Sequence, residues 1–264
     1  MILSNRCAPP GAMRLRRGRA AVALTTLAAC WLWAVALAAG AHTETNASIH
    51  PSLLPDRLGA STALTLAFGF SGGTEGVPAP LHGIVAHLPG GLTVNLRGAT
   101  VCARSRVQRH GAAGCSSKSL VGRGHAVMKV HAGSQLLPEE VTISVFRGPN
   151  RGGRQTLEFV LQGETPLDEH TVSTGVIESD RAPYGSKLTV SFPAIPTLVL
   201  EPDASFASLS LTIGGIGHSP RAHAAAGAIL VPRSCPVGGF PFAADFTFAD
   251  GSTTSAPATT VACP

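Results

Sequence analysis

Residues 102–115, "CARSRVQRHGAAGC", place Arg104, Arg106, Arg109 and His110 between two cysteines. Three chemistries suit such a stretch: a metal site, a polyanion-binding finger, or a loop closed by a cystine. A structural zinc site needs tightly spaced ligand pairs such as Cys-x2-Cys. Cys102 and Cys115 are too widely spaced for that. Proximity along the chain pairs Cys102 with Cys115 and Cys235 with Cys263. On the loop-closure model each cystine would stabilise the fold by about 3–4 kcal/mol. No metal or cofactor is expected.

Other residue groups carry weaker chemical signals. His125 and His131 share a strand face but stand about 20 Å apart, too far for one ion. "GHSPR" (217–221) approaches the serine-elbow pattern. However, Arg221 replaces the final glycine, Pro220 follows the serine, and the strand-to-helix turn an elbow needs is missing. Glu158, Glu164, Asp168, Glu169, His170, Glu178 and Asp180 crowd one region without calcium-loop spacing, and read as a solvated acidic face. From Gly76 to Pro138 there is no acid. That window holds Arg97, Arg104, Arg106, Arg109, Lys118, Arg123 and Lys129, a possible contact surface for anionic envelope polymers. The same residues could instead face water or the acidic 158–180 segment.

These residues must be positioned by short strands. "TALTLAFGF" (62–70) alternates Leu64, Leu66, Phe68 and Phe70 on one face. Similar segments follow at 82–88, 92–96, 124–132, 141–146, 155–162, 171–179, 187–192, 206–213 and 227–231. The end reads as a hairpin, with Phe240, Phe242, Phe246 and Phe248 leading into Asp250-Gly251. One helix is expected, over "ARSRVQRHG" (103–111), two turns ended by Gly111. The pattern predicts an all-β, jelly-roll-like sandwich of about ten to twelve strands over 58–264. Two smaller sandwiches split near 163–171 are the second choice. Residues 42–57, polar and carrying Pro51 and Pro55, read as a flexible tether.

The N-terminus reads as an export leader over 1–41. Arg14, Arg16, Arg17 and Arg19 precede an apolar run from Ala20 to Ala41, and Ala39-Gly40-Ala41 suits cleavage before His42. Two alternatives stay open: an uncleaved anchor, since the run can span a bilayer, and lipidation at Cys30 within "LAAC". Each puts the rest of the chain outside the cytoplasm, with membrane contact only through this segment.

Composition narrows function further. Five leader arginines, Arg6 included, account for the whole formal charge of +5. The remaining chain is neutral, so the basic balance gives no support for nucleic-acid binding. Both tryptophans, Trp31 and Trp33, lie in the leader, and Tyr184 is the only tyrosine. Aromatic platforms for sugars or single-stranded nucleic acid are therefore not expected.

Two segments carry a resemblance. "LPGGLTVNLRGATVCARSRVQRHGAAGCSSKSLVGRGHA" (88–126) resembles a pattern in exported β-rich proteins of high-GC actinobacteria. There a Leu-Pro-x-Gly-Leu run leads to an Asn, a Cys opening a short helix, a second Cys and Val-Gly-x-Gly. "CPVGGFPFAADFTFADGSTTSAPATTVACP" (235–264) is similar to their closing cysteine hairpin. The chain departs at Ala112-Ala113-Gly114 and at Ser116, where proline is usual. The resemblance covers about 70 residues and implies a disulfide-stapled extracellular β domain with no known activity. The expected role is that of a secreted or cell-surface structural or binding protein with no recognisable catalytic site. The alternatives are a secreted hydrolase acting on envelope or extracellular polymers, and an adhesion module for anionic cell-wall glycopolymers.

Overall fold

A computed structural model describes residues 44–74, 76–165, 168–197, 202–215 and 228–263. The leader, with its anchor and lipidation alternatives, and the "GHSPR" segment lie outside the described residues. Strands β1 (Asn46–Leu54), β2 (Ser61–Ser71), β3 (Leu81–Pro89) and β4 (Thr93–Asn95) come first. Helix α1 (Arg104–His110) and two 3-10 turns follow. Then come β5 (Leu120–Ala132), β6 (Gln135–Arg147), β7 (Gln155–Gly163), β8 (His170–Ser179) and β9 (Tyr184–Ser191). The chain closes with β10 (Ser205–Ile213), β11 (Ala228–Leu230), β12 (Phe240–Phe248) and β13 (Thr253–Val261).

The strands form one open antiparallel sheet in the order β13-β12-β3-β9-β8-β7-β6-β5-β10-β2-β11-β4, with β1 paired to β2. The sheet doubles back on itself. Phe68 and Phe70 of β2 meet Phe246 and Phe248 of β12 edge to face, with ring centroids 5.0–6.4 Å apart. Yet β2 and β12 lie far apart in strand order. The fold is therefore an all-β sandwich made by one sheet packing its apolar face against itself. Its interior holds a cavity of about 30 Å³, walled by apolar side chains including Leu66, Ile84, Phe159 and Leu209. The strands β7 and β8 are ladder neighbours across the 163–171 segment, so no sandwich boundary falls there.

The tether reading of 42–57 is corrected. Residues 46–54 form β1, in register with β2 from Asn46 opposite Ser71 to Leu54 opposite Ala63. Ile49 and Leu53 are buried in the core. Pro51 is tolerated because the β1 ladder runs on one side only, and an edge strand can lack one donor. The strand total of thirteen among the described residues passes the expected range partly for this reason. At the far edge, Thr259 of β13 donates through Oγ1 to the Ile49 carbonyl at 3.3 Å.

The terminal hairpin forms as its turn pair implies. Gly251 adopts φ 82°, a left-handed conformation that glycine takes without a Cβ clash. Helix α1 likewise runs where expected, with Gly111 at φ 57° closing it.

Candidate functional site: the clamped loop and the outer polar ladder

The helical loop is a cover for the sheet. Val107 is fully buried, and it joins Cys102, Phe146 of β6, Val160 of β7 and Val172 of β8 in a second apolar cluster. This cluster lies on the outer side of the sheet. It explains why "TLEFV" in β7 is buried on both faces: the inner face meets the core and the outer face meets the loop. Cys102 and Cys115 are bonded, with Cα atoms 5.8 Å apart, and Cys235 and Cys263 are bonded with Cα atoms 6.0 Å apart. Both separations suit a cystine.

Backbone ties complete the clamp. The Cys102 amide donates to the Arg147 carbonyl at 2.8 Å. Arg147 in turn donates through Nη1 to the carbonyls of Leu96 and Ala99, at 3.1 and 2.7 Å. His170 donates through Nε2 to the Gln108 carbonyl at 3.1 Å.

The basic residues separate into different roles. Arg104 faces the acidic 158–180 segment instead of water. Its guanidinium reaches down to the Thr174 hydroxyl and to the Val172 carbonyl, the latter at 3.3 Å. Thr174 donates onward to Glu158 Oε2 at 2.7 Å. Glu158 is completely buried, with Arg104 and Arg151 nitrogens 4.0 and 3.9 Å from its two oxygens. Burial pushes the Glu158 carboxyl above its usual range, against the pull of Thr174 and the two arginines. Arg97, Arg106, Arg109, Lys118 and Arg123 are exposed, and Lys129 is half-buried. Arg109 folds back to donate to the Ser105 carbonyl at 3.1 Å. Arg123 and Lys129 stand on the outer face of β5, six residues and about 20 Å apart, as do His125 and His131.

The acidic group also disperses. Glu178 pairs with Arg154 at 2.5 Å and Lys187 at 3.8 Å. Asp168 accepts from Gln162 at 3.4 Å. Glu139, missed in the sequence, is buried and accepts the backbone amides of Glu164 and Thr165 at 2.8 and 3.2 Å.

The arrangement least visible in the sequence is centred on His87 of β3. Its Nδ1 lies 2.5 Å from Asp180 Oδ2 and its Nε2 lies 3.0 Å from Asp245 Oδ2. Asp180 follows β8, and Asp245 sits on the neighbouring β12, where its other oxygen accepts from Ser255 Oγ at 2.6 Å. The Tyr184 ring lies beside the imidazole, centroids 5.1 Å apart. Partial burial would depress the His87 pKa, but hydrogen bonds and charge from Asp180 and Asp245 outweigh it and raise the value. Burial works the other way on the two carboxyls and is again outweighed. Contacts with His87, Arg181 and Lys187 lower Asp180, and contacts with Ser255 and His87 lower Asp245. With a carboxylate oxygen at each ring nitrogen, His87 donates to both when protonated and ties three elements together. Ladder pairing sets His87 opposite Lys187 and Lys187 opposite Glu178. A row of polar and charged side chains therefore crosses the outer face from Ser255 through Asp245, His87, Lys187 and Glu178 to Arg154.

This geometry defines a class: a cystine-clamped β-sandwich that carries a row of paired polar side chains on part of its outer face. Comparison with family models, with curated proteins and with solved structures gives no match. Among the described residues no helix is long and apolar enough to cross a membrane.

Proposed function

We propose that the protein is an exported β-sandwich that acts outside the cytoplasm as a structural or binding domain, secreted or held at the cell surface. One observation carries this reading: both cystines staple segments that the sheet ladders do not hold. One closes the loop over β6–β8. The other joins the approach to β12 to the residues after β13. Such staples stabilise a protein where thiols remain oxidised. The export leader read over 1–41 agrees with it.

A hydrolase draws less support from the same geometry. Both His87 nitrogens are engaged by carboxylates, and Ser255 bonds Asp245 instead of the imidazole. A nucleophile–base pair needs the hydroxyl against the ring nitrogen. Binding of anionic envelope polymers keeps one supporting observation: Arg106, Arg109 and Lys118 are exposed on the clamped loop, and that loop carries no acid.

The test is expression of the full chain in a bacterial host with an export system. Mass spectrometry of the recovered protein then maps its N-terminus and cystines. An exported protein with Cys102–Cys115 and Cys235–Cys263 intact is expected. A cytoplasmic protein with Cys102, Cys115, Cys235 and Cys263 as free thiols would overturn the proposal. Co-sedimentation with anionic wall polymers at low and high salt tests the polymer reading, which requires salt-sensitive binding lost on changing Arg106, Arg109 and Lys118 to Ala.

A further inference from the structure

The inner face of the sandwich changes character at one end. The inward row of β7 runs Leu161, Phe159 and Leu157, then reaches Gln155 at the first residue of the strand. The inward row of β9 runs Val190 and Leu188, then reaches Ser186. The register sets Gln155 opposite Ile177 and Ser179 opposite Ser186. Gln155, Ser179 and Ser186 therefore place polar side chains at the end of an otherwise apolar face. With Leu92, Thr93 and Val94 and the 153–154 turn, these residues line a groove of about 510 Å³. That lies within the ~300–1,000 Å³ of small-molecule sites.

Two polar atoms in the wall are shut from solvent and lack a hydrogen-bond partner: Gln155 Oε1 and Ser186 Oγ. The Gln155 amide nitrogen donates to the Val94 carbonyl at 3.4 Å, which leaves the amide oxygen as the free acceptor. An unpaired buried acceptor costs about 1–3 kcal/mol, and a ligand donor would recover that energy. Contact with a ligand requires a rotamer change at each side chain that turns its atom towards the groove.

The rim carries no unmatched charge of its own, because Arg154 closes onto Glu178 at 2.5 Å. The lining offers a carbonyl acceptor, three hydroxyls (Thr93, Ser179, Ser186) and the aliphatic Leu92, Val94 and Ile177. We propose that this groove binds a small, uncharged, hydroxyl-rich ligand, a polyol or the terminal sugar of a glycan. Gln155 Oε1 accepts from one ligand hydroxyl, Ser186 Oγ exchanges a hydrogen bond with a second, and the aliphatic side chains meet the ligand's C–H face. The site needs no aromatic platform, and it stands whether or not the protein is exported.

The experiment is an amide-shift NMR titration of the purified protein with glycerol, neutral mono- and disaccharides, a neutral oligosaccharide and an acidic sugar. Saturable shifts centred on Thr93, Gln155, Ser179 and Ser186 with the neutral ligands are expected. Tighter binding of the oligosaccharide identifies a glycan end, and equal binding identifies a free polyol or sugar. Ser186→Ala and Gln155→Leu should each weaken binding about tenfold, the loss of one good hydrogen bond. Ser186→Ala should leave the melting temperature of the free protein unchanged or higher, since it removes an unpaired hydroxyl. If Gln155→Leu does not fold, Ser186→Ala alone decides. Absent shifts, binding of the acidic sugar alone, unaltered affinity in Ser186→Ala, or a lowered melting temperature for that variant would each overturn the proposal.

Discussion

Replacing His87 by Gln should remove a pH-dependent part of the protein's stability. His87 donates to Asp180, whose side chain is only 11% exposed, and to Asp245, which is 55% exposed. A hydrogen bond to a largely buried charge contributes about 1.5–3 kcal/mol. The half-exposed partner is screened and adds about 0.5 kcal/mol. The network is therefore expected to be worth roughly 2–3.5 kcal/mol when fully formed. In a domain of this size each kcal/mol moves the melting temperature by about 2–4 °C, so His87→Gln should lower it by roughly 4–14 °C at about pH 5.5.

The folded His87 pKa is raised above 6.5, so its contribution is complete below that value and is lost as pH rises through the folded pKa. The folded Asp180 and Asp245 pKa values are lowered below 3.8. Their contribution is present above 3.8 and is lost as pH falls through the folded values. The network is therefore complete between about pH 4 and 6.5. Urea melts of wild type and variant, paired at about pH 5.5 and about pH 8.5, measure the difference directly. The gap between the two proteins should be widest at the lower pH and narrow at the higher one. A gap that is constant with pH, or that widens towards pH 8.5, would refute the idea that a charged imidazole holds these elements together.

Other substitutions test the remaining supports. Arg104→Ala should destabilise by about 2 kcal/mol because it strips a partner from the buried Glu158, whereas the exposed Arg106→Ala should stay within about 0.5 kcal/mol; paired urea melts separate the two. Changing Cys102 and Cys115 together to Ala should cost about 3 kcal/mol, and hydrogen exchange should show faster opening of the outer-face amides of β6–β8. Leu53→Asp should destabilise strongly if β1 is part of the sandwich, since it buries an unpaired carboxylate; a melting temperature equal to wild type would return 46–54 to a tether.

Much of the architecture was legible because strands leave a local signature. The alternation of Leu64, Leu66, Phe68 and Phe70, and of Phe240, Phe242, Phe246 and Phe248, states which face is inward from a few neighbouring residues. Cystine pairing was legible for a similar reason: of the three pairings four cysteines allow, proximity along the chain favours Cys102–Cys115 and Cys235–Cys263. The short helix and its glycine stop could also be read locally. Strand β1 escaped notice because Pro51 and Pro55 are turn residues in most settings. Only its place beside β2, with an edge to spare, makes Pro51 acceptable there.

The candidate chemistry was mostly not legible. His87, Asp180 and Asp245 stand 93 and 158 residues apart in their two pairs, and no motif spacing links them. The same holds for Arg104, which looked like a solvated loop residue until β8 and the buried Glu158 lay beneath it. Alternation, turn pairs and nearby cysteines are settled by the backbone's own periodicity, so the chain alone determined its class, its helix and its staples. Which strands become neighbours depends on how one long sheet turns to cover its apolar face, and that global packing alone decided which charges meet and where the polar mouth lies.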